Sequence, residues 1–146
     1  MTAPVHVGFA KLHEDAVLPQ RMTPGSAAMD LRACESCQLL PGRWALVPTG
    51  LQFQLPVGYE AQIRPRSGLA YRFGITVLNA PGTIDADYTG PVGVLLVNHG
   101  TTEYWVEPGD RIAQVVIARV LPLVVEEWPA KTGPSARTGG YGSTGR

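Results

Sequence analysis

The chain has 146 residues, 45% of them hydrophobic, and its 12 basic and 12 acidic side chains leave no net charge. This length and apolar content suit a single folded domain and exclude a disordered chain. A neutral chain lacks the basic surface needed to bind a nucleic-acid polymer, although a local basic cluster could bind a small anion. The 17 glycines and 13 prolines leave little room for long helices.

The sequence shows neither an export signal nor a membrane span. Residues 1–17 lack a basic region followed by an apolar run, so we expect no signal peptide. The most apolar segment, 115–125, is interrupted by Arg119 and Pro122 and is shorter than the roughly 20 residues of a membrane helix. We therefore expect a soluble, cytoplasmic protein.

Short apolar or alternating segments, separated by turns rich in Gly and Pro, follow one another along the chain. A predicted turn at Pro48, Thr49 and Gly50 interrupts one of them, and a short helix is predicted over 67–73 with Ser67 capping its start. Many short strands at this spacing predict an all-β sandwich or barrel. The predicted strands are 5–9, 28–33, 44–55, 59–64, 74–79, 92–98 and 111–125, the last of which should close the core.

The C-terminal residues differ in composition from the rest. Residues 131–146 have no apolar periodicity and are dense in Gly, Ser and Thr, which predicts a flexible tail. Arg137 and Tyr141 stand among the glycines, although a plain linker needs neither. The run "GGYGST" could cradle a phosphate, but it is not a Walker motif. We expect a β-sandwich domain over 1–131 and a Gly-rich arm over 132–146.

Cys34 and Cys37 form a single "CESC" motif. A structural zinc site needs a second ligand pair, which the spacing of His6, His13 and His99 does not supply. A redox motif needs a strand followed by a helix, which this segment does not predict. We interpret the pair as two reduced thiols near a strand.

The stretch around 64–72 groups Arg64, Arg66 and Arg72 with Ser67 and Gly68. Guanidinium groups, a hydroxyl and backbone N–H groups at a helix start can bind phosphate. Solvated arginines on a surface turn are an equally good interpretation of this stretch alone.

The stretch "GTIDADYTG", 82–90, carries two carboxylates beside an aromatic ring. In an extended chain Asp85 and Asp87 would face one side, and Ile84, Ala86 and Tyr88 the other. A carboxylate here could be a general base for water. Alone, the stretch is better explained as a polar hairpin with Asp in turn positions.

Four polar residues stand in apolar strands or in the turn before one of them. Asp30 stands between apolar residues, and it needs an arginine partner or a metal-linked role because burying an unpaired carboxylate is costly. Gln114 lies on an otherwise apolar strand and needs a hydrogen-bond partner if buried. Asp110 and Arg111 are expected to pair locally.

Taken in order, five of these stretches resemble the motifs of the homotrimeric dUTP pyrophosphatases, the dUTPases. The stretches are "AAMDLRA", "PRSGLA", "NAPGTIDADYTG", "GDRIAQ" and "RTGGYGSTG". Each is weak alone, but five in this order and spacing are specific. The resemblance implies a distorted jelly-roll (β-clip) subunit and a homotrimer with active sites at the subunit boundaries. Each site would be closed by a swapped C-terminal arm, with dUTP hydrolysed to dUMP and pyrophosphate in the presence of Mg²⁺.

The resemblance also implies roles for single residues. Asp85 is similar to the general base that activates the attacking water, and Asp87 is expected to be structural. Tyr88 would lie under the deoxyribose and exclude a 2′-hydroxyl, and Asp30 would hold a Mg²⁺-bound water. The uracil edge would be read by Asn79 and the backbone of Gly82, Thr83, Ile84 and Asp85. The phosphates would be held by Arg66, Ser67, Gly68 and Gln114. From the arm, Arg137 would reach the γ-phosphate, Tyr141 would stack on uracil, and Gly142 and Ser143 would cover the phosphates.

The chain departs from the family pattern in three places. The tail arginine is one residue closer than usual to the two glycines, Pro91 stands where Glu or Gln is common, and Gly93 where many members have Lys. Two alternatives share the fold. A dCTP deaminase normally lacks the glycine found at Gly68 and uses a glutamate near the base. A non-catalytic jelly-roll trimer would not need both Asp85 and an intact tail.

Overall fold

The structure is a computed structural model that describes residues 3–134 together with residues 139 and 145. Over these residues the chain forms short strands and one helix, α1, of seven residues. In chain order they are β1 Gly8–Lys11, β2 Met29–Arg32, β3 Cys37–Leu39, β4 Trp44–Gln54, β5 Tyr59–Arg64, α1 Ser67–Phe73, β6 Ile75–Val77, β7 Gly82–Ile84, β8 Pro91–Asn98, β9 Tyr104–Val106 and β10 Arg111–Arg119.

The strands form two antiparallel four-stranded sheets and a small two-stranded one. One large sheet has the order β1-β4-β8-β6, and the other has the order β2-β10-β5-β7. Strands β3 and β9 form the third sheet. The second large sheet carries Asp30 on β2, Gln114 on β10 and the stretch 82–84 on β7, which are five of the residues to which the family resemblance assigns a role.

One hydrophobic core joins the inner faces of the two large sheets. Phe53 and Val94 come from one sheet, and Leu31, Ile63 and Val115 come from the other, all nearly inaccessible to solvent. Each such side chain stabilises the fold by about 1.5–3 kcal/mol relative to exposure. This packing is that of a β-sandwich, in which inward residues alternate with outward ones.

Strand β4 runs through the predicted turn at Pro48, Thr49 and Gly50. The chain forms a bulge there, because the register with β8 shifts between Pro48 and Leu51. The buried Thr49 hydroxyl donates to Val92 O at 2.6 Å and accepts the Leu51 N–H at 3.2 Å. The turn prediction was wrong because these bonds hold both sides of the bulge in one strand.

Several other predictions differ from the structure at element ends. Strand β10 ends at Arg119, so residues 120–125 do not close the core as predicted. In this segment Leu121, Val124 and Val125 are exposed. The short strands β3, β7 and β9 were not predicted because three residues are too few to show a period. No helix among the described residues has the length and apolar character needed to cross a membrane.

Candidate active site

Asp30 lies at the centre of an ionic cluster on the sheet formed by β2, β10, β5 and β7. Its Oδ1 lies 3.3 Å from Arg66 Nε, and its Oδ2 lies 3.3 Å from Arg111 Nη1. The Asp30 side chain is 18% exposed and that of Arg66 is 23% exposed. The carboxylate therefore has arginine partners, one of the two alternatives that its sequence context left open. Arg111 pairs with Asp30 and not with Asp110, whose carboxylate accepts the Glu107 N–H, so the predicted local pair was wrong.

The register of β10 places Gln114 between two neighbouring strands, where it pairs with Asp30 on β2 and with Arg64 on β5. Its Nε2 donates to Pro65 O at 2.9 Å, which is the partner that a half-buried amide was expected to need. Asp30, Arg64 and Gln114 line a cavity of about 400 Å³ whose other wall comes from the loop before β2.

The start of α1 adjoins this cluster. Arg66 is the N-cap, and it also donates from Nη1 to Arg111 O at 3.1 Å. Ser67 is the first helical residue and makes no capping bond, so its predicted role as the cap was wrong. Ser67 and Gly68 therefore keep their hydroxyl and first-turn N–H groups available, because such N–H groups have no partner within a helix.

The loop between β6 and β7, which belong to different sheets, places Asn79 beside Gly82. A Cβ on Gly82 would lie 3.5 Å from Asn79 Nδ2 and 3.3 Å from Ile63 Cβ, so the glycine permits this close approach. Gly82 is buried, Ile84 is half-buried, and Thr83 and Asn79 are exposed. The side chain of Asn79 and the backbone of β7 thus border one surface.

Asp85 stands exposed where β7 has just ended. The chain turns there, because the Tyr88 N–H donates to Asp85 O at 3.1 Å. The expectation that Asp85 and Asp87 share one face of an extended strand was therefore wrong, since β7 ends at Ile84. The Asp85 carboxylate is at the surface, where a bound ligand and water could reach it.

Tyr88 is held beside this turn by its hydroxyl group, which donates to Pro91 O at 2.8 Å. Its side chain is 43% exposed. A Cβ on Gly90 would lie 2.5 Å from the Tyr88 hydroxyl oxygen, so the ring lies directly against the glycine backbone. Tyr88, Thr83 and Asp85 line a cavity of about 230 Å³. The ring therefore offers a positioned apolar face next to the carboxylate.

Within one chain, Asp85 and the Asp30 cluster lie far apart. Ile84, the residue before Asp85, pairs with Ala61 on β5. Asp30 pairs with Gln114 on β10, which in turn pairs with Arg64 on β5. The three strand spacings from β2 to β7 amount to about 14 Å, and three residues along a strand add about 10 Å. Neither cavity lined by Asp85 is lined by Asp30. A single chain thus forms two half-sites.

The residues around Asp30 fit a magnesium ion held through water better than one bound directly. Each carboxylate oxygen of Asp30 already pairs with an arginine, but a carboxylate has further lone pairs that can accept a water molecule. Mg²⁺ keeps several waters in most protein sites. Among the described residues, the group of His, Cys, Asp or Glu side chains whose ligand atoms are close enough to hold a metal ion lies elsewhere, at His13, Cys34 and Glu35.

Four of the predicted site residues lie outside the residues that the structure describes, and one further residue joins the site. The four are Arg137, Tyr141, Gly142 and Ser143. Arg111 belongs to the Asp30 cluster but was not predicted there. Arg111 stands three residues before Gln114, on a strand that could pair with the strand of Asp30, and this position is the signal that could have identified it. The register between two strands, however, is not readable from one sequence.

Comparison with known proteins relates this arrangement to one family. A family model described as dUTPase matches residues 14–145. A deoxyuridine 5′-triphosphate nucleotidohydrolase of Syntrophotalea carbinolica is 49% identical over 143 residues, covering 97% of this chain and 97% of its own. One from Rhizobium meliloti is 54% identical over 132 residues, covering 88% of this chain and 82% of its own.

Solved structures agree with the sequence comparison. The dUTPase of Staphylococcus bacteriophage 80alpha with dUPNHPP superposes with a TM-score of 0.86 at 24% identity, covering 96% of this chain and 98% of that chain. A mutant dUTPase from phage phi11 of S. aureus, described for its coordination of a structural Mg(II) ion, gives a TM-score of 0.80 at 22% identity, covering 86% and 97%. The predicted all-β jelly-roll fold is confirmed. The chain belongs to the dUTPase family.

Proposed function

We propose that the protein hydrolyses dUTP to dUMP and pyrophosphate in the cytoplasm, using Asp85 as the general base. The observation that carries the proposal is the turn after β7, where an exposed Asp85 lies beside the oriented ring of Tyr88. Family membership supplies the substrate class. Removing dUTP would keep uracil out of DNA and would supply dUMP for thymidylate synthesis.

The hydrolysis breaks the bond between the α-phosphorus and the oxygen that bridges to the β-phosphate. Asp85 accepts a proton from a water molecule as the water oxygen attacks the α-phosphorus, and pyrophosphate leaves. A base must lie within hydrogen-bond reach of that water, which an exposed carboxylate at a turn permits.

The same segment, residues 79–88, would also recognise the base and the sugar. Asn79 and the backbone of residues 82–85 would read the uracil edge, and the tight pocket would reject a 5-methyl group. The ring of Tyr88 would lie under the deoxyribose and leave no room for a 2′-hydroxyl. Its hydrogen bond to Pro91 O supports this role, because it holds the ring in one orientation.

The Asp30 cluster would bind the triphosphate. Arg66 uses Nε toward Asp30 and Nη1 toward Arg111 O, so Nη2 and one Nη1 hydrogen remain for phosphate oxygens. Ser67, Gly68 and Gln114 would add neutral donors. When bound, Mg²⁺ would neutralise the phosphate charge, and Asp30 would hold one of its waters.

The separation of the two half-sites supports a homotrimer with shared active sites. A substrate attacked beside Asp85 needs its phosphates within reach of an Asp30 cluster, and the cluster of the same chain is more than about 14 Å away. A neighbouring chain would supply it. The arm over 132–146 would close the site, with Arg137, Tyr141, Gly142 and Ser143 in the roles that the family resemblance implies.

The first experiment is pyrophosphate release from dUTP with Mg²⁺, beside dCTP, dTTP and UTP, in the native protein and in Asp85→Asn. We expect release from dUTP alone, and a loss of about 10²- to 10⁴-fold in Asp85→Asn with dUTP binding retained. Asp87→Asn is the matched control, because it removes the neighbouring carboxylate and should keep near-normal turnover. Near-normal turnover in Asp85→Asn, or ammonia release from dCTP, would contradict the proposal.

A further inference from the structure

Residues far apart in sequence meet at the bulge in β4. The Leu12 N–H donates to Gly50 O at 2.7 Å, and the Cys34 N–H donates to Pro48 O at 2.9 Å. These two bonds draw the residues after β1 and those after β2 to the same bulge. His13 and Cys34, which the sequence separates widely, thereby become neighbours.

Three side chains of different chemistry converge there. A nitrogen of His13, the sulfur of Cys34 and a carboxylate oxygen of Glu35 all lie within 4.8 Å of one another. Ligands of a tetrahedral zinc ion lie about 3.6 Å apart, given metal–ligand bonds of roughly 2.0–2.3 Å. An inward shift of about 1 Å by the half-buried His13 and the exposed Glu35 would close the site around Cys34.

The charges around the thiol favour a cation. The Glu35 carboxylate lies within 4.8 Å of the Cys34 sulfur, and Cys34 is only 2% exposed. A divalent cation between them would neutralise the carboxylate and the thiolate that forms when a metal displaces the thiol proton.

The backbone orients the histidine for such a role. The Asp15 N–H donates to His13 Nδ1 at 3.1 Å, so the lone pair of Nδ1 is the accepting one and the neutral ring carries its proton on Nε2. A metal ion at Nδ1 would replace this exposed hydrogen bond without deprotonating the ring. The second cysteine does not join the group, since Cys37 Sγ contacts Gln38 O at 3.9 Å.

We infer that His13, Cys34 and Glu35 form a binding site for a thiophilic divalent metal ion of the Zn²⁺ class. Sulfur, imidazole and carboxylate ligands suit Zn²⁺, whereas Mg²⁺ selects oxygen ligands. A water molecule would complete the coordination. The ion would tie the loop after β1 to β2 and to the β4 bulge, and it is separate from any Mg²⁺ that accompanies the nucleotide.

The test is a Co²⁺ titration of the untagged full chain, treated with chelator and kept reduced without added thiol, in excess Mg²⁺. We expect one Co²⁺ per chain with a sulfur-to-cobalt charge-transfer band that Zn²⁺ displaces. The band should disappear in Cys34→Ser and persist in Cys37→Ser, the matched control. His13→Gln and Glu35→Gln should weaken binding at least about tenfold, since even partners outside the ligand shell cause such losses, and His99→Gln should not.

A second measurement, the melting temperature Tm, keeps the inference testable even if Cys34→Ser does not fold. Zn²⁺ should raise the Tm of the native protein and of Cys37→Ser, because an ion that binds only the folded state stabilises it. His13→Gln and Glu35→Gln, both changed at accessible side chains, should lose this shift. Absence of the band in the native protein, its persistence in Cys34→Ser, or an unchanged Tm shift in His13→Gln and Glu35→Gln would overturn the inference. None of these readouts depends on dUTP hydrolysis.

Discussion

At the scale of single residues, Gly90 decides where the ring of Tyr88 can lie. A Cβ on Gly90 would come within 2.5 Å of the Tyr88 hydroxyl oxygen, so Gly90→Ala must displace the ring. We expect a loss in kcat/KM for dUTP of about tenfold to a hundredfold, together with weaker discrimination against UTP, because small misplacements are costly in an active site. Steady-state hydrolysis of both nucleotides measures this. Gly25→Ala is the control, since a Cβ there has no neighbour within 4 Å, and unchanged selectivity in Gly90→Ala would contradict the role given to Tyr88.

At the scale of elements, the β4 bulge depends on Gly50. Its φ of +69° is unfavourable for other residues, and a Cβ would lie 2.8 Å from His13 Cβ and 2.9 Å from Ala16 Cβ. Gly50→Ala should lower the free energy of unfolding by about 2–4 kcal/mol, combining backbone strain with overpacking. Gly58→Ala, at φ +86° in open space, should cost only the strain, about 1 kcal/mol. Urea unfolding with chelator present compares the two variants, and equal losses would show that the packing at the bulge is unimportant.

At the scale of the whole molecule, the chain after β10 leaves a row of apolar side chains exposed. Leu121, Val124, Val125 and Trp128 are 75–88% exposed, and exposed apolar side chains in a row indicate an interaction site. Truncation after Pro134 should keep the proposed trimer and cripple dUTP hydrolysis, whereas truncation after Arg119 should also lose the proposed trimer. Light scattering and pyrophosphate release measure the two properties. A fully active protein ending at Pro134 would show that the arm is not a lid.

The sequence predicted those strands whose hydrophobic pattern is long enough to recognise. Strands β2, β5 and β8 were predicted because alternation or a long apolar run marks them, and the chemistry of Asp85 and Arg66 was predicted because the five motifs occur in family order. The three-residue strands β3, β7 and β9 and the bulge at Gly50 were not predicted, whereas the equally short β6 lies within the predicted strand 74–79. Three residues carry no period, and Pro-Thr-Gly has the composition of a turn whether or not a neighbouring strand holds it straight.

The sequence by itself determined the all-β class, the family and the residues that we propose to bind the nucleotide, because these depend on composition and on the order of motifs. Only the tertiary structure decided which groups are neighbours. The register of β10 brought Arg111 and Gln114 to Asp30 and left Asp85 at the far edge of the sheet, and the β4 bulge brought His13 to Cys34. Register and bulges arise from hydrogen bonds and packing between distant segments, and no local pattern in the chain records those contacts.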